Sequence, residues 1–158
     1  MTDASTANQR FVRGVDEDRA FAWAYAAALG GSLFASWLTV VYLGPGVREA
    51  NPITAAIIAA LGLDGMVVVR TGVLVAGYWG YAHVRAATSW TVLPVTFAWL
   101  GALVNLADAA ANLRVATILG PPGPSELVGS LGVLVLALIA GVLLRPPFET
   151  PDSGTGRR

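Results

Sequence analysis

The chain has 158 residues, of which 55% are hydrophobic and only 13% are charged, and its mean hydropathy is +0.63. Because a soluble domain carries about 25% charged residues, this composition leaves too little polar surface for a water-facing globule and predicts a membrane protein. The net charge of zero excludes the basic surface of a nucleic-acid-binding protein, and the lack of cysteine excludes disulfides, thiolate metal sites and cysteine nucleophiles.

The first apolar stretch covers residues 20–43 and follows a polar leader, 1–19, for which we predict a disordered cytoplasmic tail. A signal-peptide core has about 7–15 residues, so this longer stretch predicts a transmembrane helix that the mature protein retains. Gly44 and Pro45 end the helix, because both residues disfavour continued helical backbone.

The second apolar stretch, 52–83, is too long for a single span. A continuous helix would measure about 48 Å, whereas the hydrocarbon core of a bilayer is about 30 Å thick. We therefore divide the stretch at the glycine-rich segment 62–65 into a short membrane-embedded helix, 52–61, and a second span, 65–83. The short helix has a clear start, since Asn is favoured at an N-cap and Pro at the first helical position.

Two further spans are predicted, at 91–113, with a further reach to residue 119, and at 127–144. The intervening run of Gly and Pro residues, 120–124, is typical of a tight turn. The predicted fold class is therefore all-α, with four transmembrane helices and one short membrane-embedded helix in a domain at 20–145. Residues 146–158 are predicted to form a second disordered cytoplasmic tail.

The arginines predict the orientation of these spans. If the N-terminus is cytoplasmic, the outer loops hold only Arg48, and the inner segments hold Arg10, Arg13, Arg19, Arg85, Arg145, Arg157 and Arg158. The positive-inside rule favours this arrangement, with both termini in the cytoplasm of a multi-pass cell-membrane protein. Aromatic residues gather near the predicted inner edges, as is typical of a membrane interface: Trp23, Tyr25, Tyr78, Trp79, Tyr81 and Trp90.

Charged residues within the predicted spans are the main candidates for a functional site, because each costs roughly 2.5–3.5 kcal/mol on insertion. Arg70 lies in the second span and Asp108 in the third. Asn105 and Asn112 share one helical face with Asp108, since they stand three residues before it and four after it. We expect Arg70 and Asp108 to meet.

The remaining candidates lie toward the same outer side. Ser36 and Thr39 occupy the last third of the first span, and Glu49 and Asn51 lie in the first outer loop. One interpretation is an outward-facing polar pocket of a small binding or transport protein. Its carboxylates and amide oxygens would hold a proton or cation, or Arg70 and the N-terminus of the 52–61 helix would face an anion.

The alternative is a structural or accessory membrane subunit whose polar cluster only fixes helix packing. Arg70 and Asp108 would then form an ion pair that locks two helices, and the two Asn side chains would form hydrogen bonds between helices. Ser and Thr within a span commonly bond to their own helix, and Asn51 would serve only as a helix cap.

The polar residues resemble a known pattern. The pattern comprises Ser36 to Thr39 in the first span, Glu49-Ala50-Asn51-Pro52, Arg70 in the second span, and Asn105 with Asp108 in the third. It resembles an uncharacterised family of small polytopic membrane proteins that is common in halophilic archaea and is known only as a domain of unknown function. Ser36 stands where that family often has Asp, and Arg70 where it often has Lys. The resemblance implies an architecture but no activity.

Little in the sequence is typical of an enzyme. His83 is the only histidine, it lies at the predicted inner edge, and no phosphate-binding loop or hydrolase motif is present. We therefore expect no catalytic residue, cofactor or metal. The expected partners are the lipid bilayer and, because four short helices enclose little volume, a second copy of the chain or another membrane protein.

Overall fold

The computed structural model describes residues 3–43, 47–88 and 92–148, and this part of the chain contains four helices and no strand. The helices are α1 (Asp3–Tyr42), α2 (Pro52–Ala87), α3 (Val92–Leu119) and α4 (Pro124–Leu143). The predicted all-α class is confirmed. The predicted start of the third span at residue 91 lies just outside the described residues.

Helix α1 starts far earlier than predicted, at Asp3 instead of residue 20. The structure thus has helix at residues 3–19, where the sequence suggests a disordered tail. Gly14 is the only strong helix breaker in this segment, so nothing in its local sequence stops the helix from continuing outward. The end of the segment is also held in place, because Asp18 forms an ion pair with Arg85 of α2.

Helix α2 contains the predicted break as a kink. Gly62 has φ 73° and ψ −179°, a conformation that residues with a side chain rarely adopt, and regular helix continues on either side. The Oδ1 atom of Asn51 accepts hydrogen bonds from the backbone N–H groups of Ile53 and Thr54, and Pro52 occupies the first turn, as predicted. The kink turns residues 52–61 so that Ile57 and Ile58 pack beside Met66 and Val67.

Helix α3 ends at Leu119, the further of the two predicted limits. The next residue, Gly120, has φ 85° and donates its N–H to the Ala116 carbonyl, which closes the helix with the left-handed cap that glycine favours. Helix α4 begins at Pro124, three residues before the predicted start, because proline is suited to the first helical turn.

Helix α1 is the centre of the bundle, since it contacts each of the other three helices. Its most extensive contact is with α3, whereas α3 and α4 do not touch within the described residues. The α1–α3 contact uses small side chains that are fully buried: Ala24, Ala28 and Ala35 on α1, and Ala98 and Ala102 on α3. Small residues let two helices approach closely, which is how helices in membranes commonly pack.

Three helical segments are long and apolar enough to cross a membrane: Asp16–Tyr42, Pro52–Ala87 and Val92–Leu119. In α1 61% of the most apolar stretch is buried, against 17% in α2 and 22% in α3. The outer helices therefore expose apolar side chains, as expected of a polytopic membrane protein. The described apolar part of α4, Ser130–Leu143, is shorter, so the fourth span at 127–144 stays a prediction.

Residues 146–148, which follow α4 and belong to the segment predicted as a disordered tail, pack against the bundle. Pro146 is fully buried, and the Phe148 ring lies 6.2 Å from that of Phe21 and 5.8 Å from that of Tyr25. The apolar Pro and Phe side chains gain by covering the end of the core. Residues 149–158 lie outside the described part of the chain.

Tyr25 and Tyr78 lie in the core, although the sequence suggests that they anchor the membrane interface. The Tyr25 hydroxyl donates to the Gly141 carbonyl of α4 at 2.5 Å. The Tyr78 hydroxyl lies 3.0 Å from the Ala24 carbonyl of α1 and 2.6 Å from the Ala98 carbonyl of α3. Each phenol therefore connects its helix to one or two neighbours through a buried polar contact.

Candidate functional site

Arg70 and Asp108 meet between α2 and α3. The Arg70 Nη2 atom donates to Asp108 Oδ2 at 2.5 Å. The Arg70 side chain is 18% exposed and that of Asp108 is 36% exposed, so the pair lies at the edge of the bundle and is incompletely covered. Together with the contact of the Tyr78 hydroxyl to the Ala98 carbonyl, the pair is one of two polar connections described between α2 and α3, which contact each other least among the touching pairs of helices.

A second group of candidates connects α3 to α1. The Asn112 Nδ2 atom donates to the Ala35 carbonyl at 3.2 Å and lies 3.3 Å from Thr39 Oγ1. The Thr39 hydroxyl in turn donates to the same Ala35 carbonyl at 3.0 Å. Two side chains thus satisfy each other and one backbone carbonyl across the helix contact.

Ser36 of α1 and Asn105 of α3 are two further candidates, and the described contacts include no hydrogen bond between them. Ser36 is 1% exposed in the interior of the bundle. The Asn105 Nδ2 atom donates to the Gly101 carbonyl of its own helix at 2.9 Å. A Cβ atom added to Gly31 would lie 3.1 Å from the backbone carbonyl carbon of Asn105, so the backbones of α1 and α3 almost touch at this level.

Glu49 and Asn51 form a separate group at the start of α2. The Glu49 Oε1 atom accepts the Asn51 backbone N–H at 2.8 Å, and Asn51 caps the first turn. Their hydrogen bonds are therefore local, and the kink at Gly62 separates them in sequence from Arg70. The hydrogen bonds between predicted site residues thus fall into three separate sets: Arg70 with Asp108, Thr39 with Asn112, and Glu49 with Asn51.

Two apolar grooves open on the described part of the bundle, and none of the eight candidates lines either one. One groove runs along α3 beside Glu17. The other, of about 440 Å³, lies between α2 and α4 and is lined by small and branched apolar residues such as Gly72, Ala76 and Ala140. The polar candidates therefore make contacts between and within helices, and neither of these two grooves is built from them.

A second ion pair, which the sequence does not predict, lies at the opposite end of α2. Arg85 donates to Asp18, its guanidinium carbon lies 4.8 Å from the centre of the Phe21 ring, and its side chain is 3% exposed. Its Nε atom has no hydrogen-bond partner within the described residues. The one sequence feature that could have indicated this pair is the acidic run at 16–18, which lies on the same predicted side of the membrane as Arg85.

Within residues 3–43, 47–88 and 92–148, no group of three or more His, Cys, Asp or Glu side chains lies close enough to hold a metal ion. Asp108 has Arg70 as its charged neighbour, and Glu49 bonds to a backbone N–H. These two carboxylates therefore have a guanidinium group and a backbone N–H as their respective partners.

Comparison of the chain with protein-family models, with curated proteins and with solved structures finds no match. The resemblance to a family of small archaeal membrane proteins accordingly stays a prediction.

Proposed function

We propose that this chain is a structural or accessory subunit of a membrane, in which the polar side chains inside the spans fix the register of the helices. The observation that carries the proposal is that these side chains bond across helix contacts: Arg70 to Asp108 between α2 and α3, and Asn112 to Thr39 and Ala35 between α3 and α1. Neither apolar groove includes them.

Polar contacts can fix the register of these helices because the surrounding solvent is lipid. Between helices in lipid there is little hydrophobic driving force, because acyl chains are as apolar as leucine, so helix association depends on close packing and on polar contacts. An apolar contact tolerates sliding along the helix, whereas an ion pair or a directed hydrogen bond has one favourable register. A chain with an almost uniformly apolar α2 and α3 gains specificity from these few polar contacts.

The proposal predicts that Asp108→Asn destabilises the protein. Removal of the carboxylate leaves the partly covered Arg70 guanidinium without its counter-charge, which costs about 1–3 kcal/mol in the free energy of unfolding. The measurement is thermal or denaturant unfolding of the purified protein in detergent. The control is Asp64→Asn, which removes an exposed carboxylate on the same helix as Arg70 and should change stability by less than about 0.5 kcal/mol.

The competing function is a binding or transport protein, and the exposure of the Asp108 carboxylate is the one observation that favours it. In that case Asp108 would be retained for a ligand at some cost in stability. Asp108→Asn would then leave the unfolding midpoint unchanged or raise it, and this result would contradict the structural role.

We also propose that both termini are cytoplasmic and that α4 forms a fourth span. Arg48 is the one arginine of the proposed outer loops, which supports this orientation, and the 20 residues of α4 would extend about 30 Å, the thickness of the hydrocarbon core. Because the chain has no cysteine, single replacements can be labelled without background.

The topology predicts that Arg48→Cys reacts with a membrane-impermeant thiol reagent applied to intact cells, and that Ala87→Cys reacts only after the cells are opened. Both side chains are exposed in the structure, so access depends on the membrane side alone. Arg85 is unsuitable for this test because it is buried. The reverse labelling pattern would contradict the proposed orientation.

A further inference from the structure

The Arg70–Asp108 pair lies on a surface that this chain leaves open. Val73 stands three residues after Arg70 and Val104 four residues before Asp108, so each lies beside the pair on its own helix. Both valines are 68% exposed. We call the surface formed by Arg70, Val73, Val104 and Asp108 the paired-charge face.

The paired-charge face is poorly suited to lipid. The described contacts engage one guanidinium nitrogen of Arg70 and one carboxylate oxygen of Asp108, and the other polar atoms of both groups have no partner within the described residues. Ionised groups inside a bilayer almost always turn toward protein or water, because exposure to hydrocarbon is costly. A further surface must therefore cover this one.

The charges indicate what covers it. An anionic lipid headgroup would suit Arg70 but repel Asp108, and a cation would suit Asp108 but repel Arg70. A surface that carries one positive and one negative group side by side is complementary to itself after a two-fold rotation, which is the symmetry of the commonest homodimers. In a dimer with its axis along the membrane normal, α2 faces α3 of the second copy, with the two groups at the same depth.

We infer that the chain forms a symmetric homodimer through the paired-charge face, in which Arg70 bonds to Asp108 of the partner subunit as well as to its own Asp108. The antiparallel directions of α2 and α3 place Val73 and Val104 on the same side of the ion pair. Val73 consequently lies opposite Val104 of the partner subunit.

Cysteine cross-linking tests this arrangement directly. One chain carries Val73→Cys and a small tag, and a second chain carries Val104→Cys and a larger tag. The two chains are produced together in membranes and oxidised. We expect a disulfide-linked heterodimer of the two tagged chains. Chains with Leu136→Cys serve as the control, since this α4 residue is also 68% exposed but lies away from the paired-charge face, and they should remain monomeric on oxidation.

The contribution of the charges is tested in the same cross-linking background. With Arg70→Met and Asp108→Leu in both chains, the yield of heterodimer at limiting protein should fall about tenfold, which corresponds to about 1.4 kcal/mol of association. An unchanged yield, or cross-linking at Leu136→Cys equal to that of the valine pair, would overturn the inference. The structural role of the ion pair is judged separately, from the unfolding of Asp108→Asn in monomeric detergent solution.

Discussion

Gly31→Leu should unfold the bundle at a lower temperature than the native chain, with a loss of about 3 kcal/mol in the free energy of unfolding, the upper end of what overpacking typically costs. A Cβ atom at this position would lie 3.1 Å from the Asn105 carbonyl carbon and from the Leu106 nitrogen. These are backbone atoms, which cannot rotate away as a side chain can. The leucine side chain would therefore force apart α1 and α3, the pair of helices with the most extensive contact.

The neighbouring glycine provides a matched control for this prediction. A Cβ atom at Gly30 would meet no atom within 4 Å, and Gly30 is exposed on the surface of α1. Gly30→Leu should leave stability unchanged or raise it, because leucine is the better helix former. The measurement is thermal unfolding of both variants in the same detergent. Equal midpoints for the two variants would show that α1 and α3 do not approach closely at Gly31.

Asp18→Asn should lower the free energy of unfolding more than Arg85→Met does, although both substitutions break the Asp18–Arg85 ion pair. It leaves the Arg85 charge almost fully buried without a counter-charge, which costs about 3–5 kcal/mol. Arg85→Met removes the more deeply buried of the two charges and keeps an apolar stem over the Phe21 ring, whereas the Asp18 side chain is 19% exposed against 3% for Arg85. Its cost should therefore be smaller than that of Asp18→Asn. The measurement is the unfolding free energy of each variant.

Asp16→Asn is the control for the Asp18 prediction, because Asp16 is an exposed carboxylate two residues earlier on α1. Its effect should stay within about 0.5 kcal/mol. If Arg85→Met proved as damaging as Asp18→Asn, the stacking of the guanidinium on Phe21 would contribute more than the ion pair does.

The helices could be predicted from the sequence because lipid imposes a strong constraint on length and composition. Apolar stretches of about 20 residues leave few other solutions, and the excess length of 52–83 required a break near Gly62. The N-cap at Asn51 followed from local side-chain chemistry in the same way. These features depend on segments of the chain rather than on how one helix is rotated against another.

The contacts between helices were predicted less well, because a single sequence does not give the rotation of each helix about its axis. Opposite charges at similar depth sufficed to predict that Arg70 meets Asp108. Nothing comparable indicated that Asn112 would bond to Thr39, or that Glu49 would accept the backbone N–H of Asn51. Similar membrane depth was therefore enough to predict the contact of Arg70 with Asp108, but it did not predict the hydrogen bonds of the other candidate residues.

The contacts of two tyrosines and of the Asp18–Arg85 ion pair could not be predicted for the same reason. Tyr25 and Tyr78 are of a residue type that is enriched at membrane interfaces, yet their hydroxyl groups donate to carbonyls of neighbouring helices in the core. Asp18 and Arg85 are far apart in sequence and looked like ordinary charges flanking a span. Their pairing depends on α1 extending outward beyond residue 20, which a polar composition did not predict.

The most direct test of the proposed structural role is the unfolding free energy of the chain with both Arg70→Met and Asp108→Leu, compared with Asp108→Leu alone. If the ion pair serves only helix packing, the double variant should recover most of the stability that the single variant loses, because an apolar pair of similar size replaces a buried pair at little cost. A double variant no more stable than Asp108→Leu alone would contradict this account.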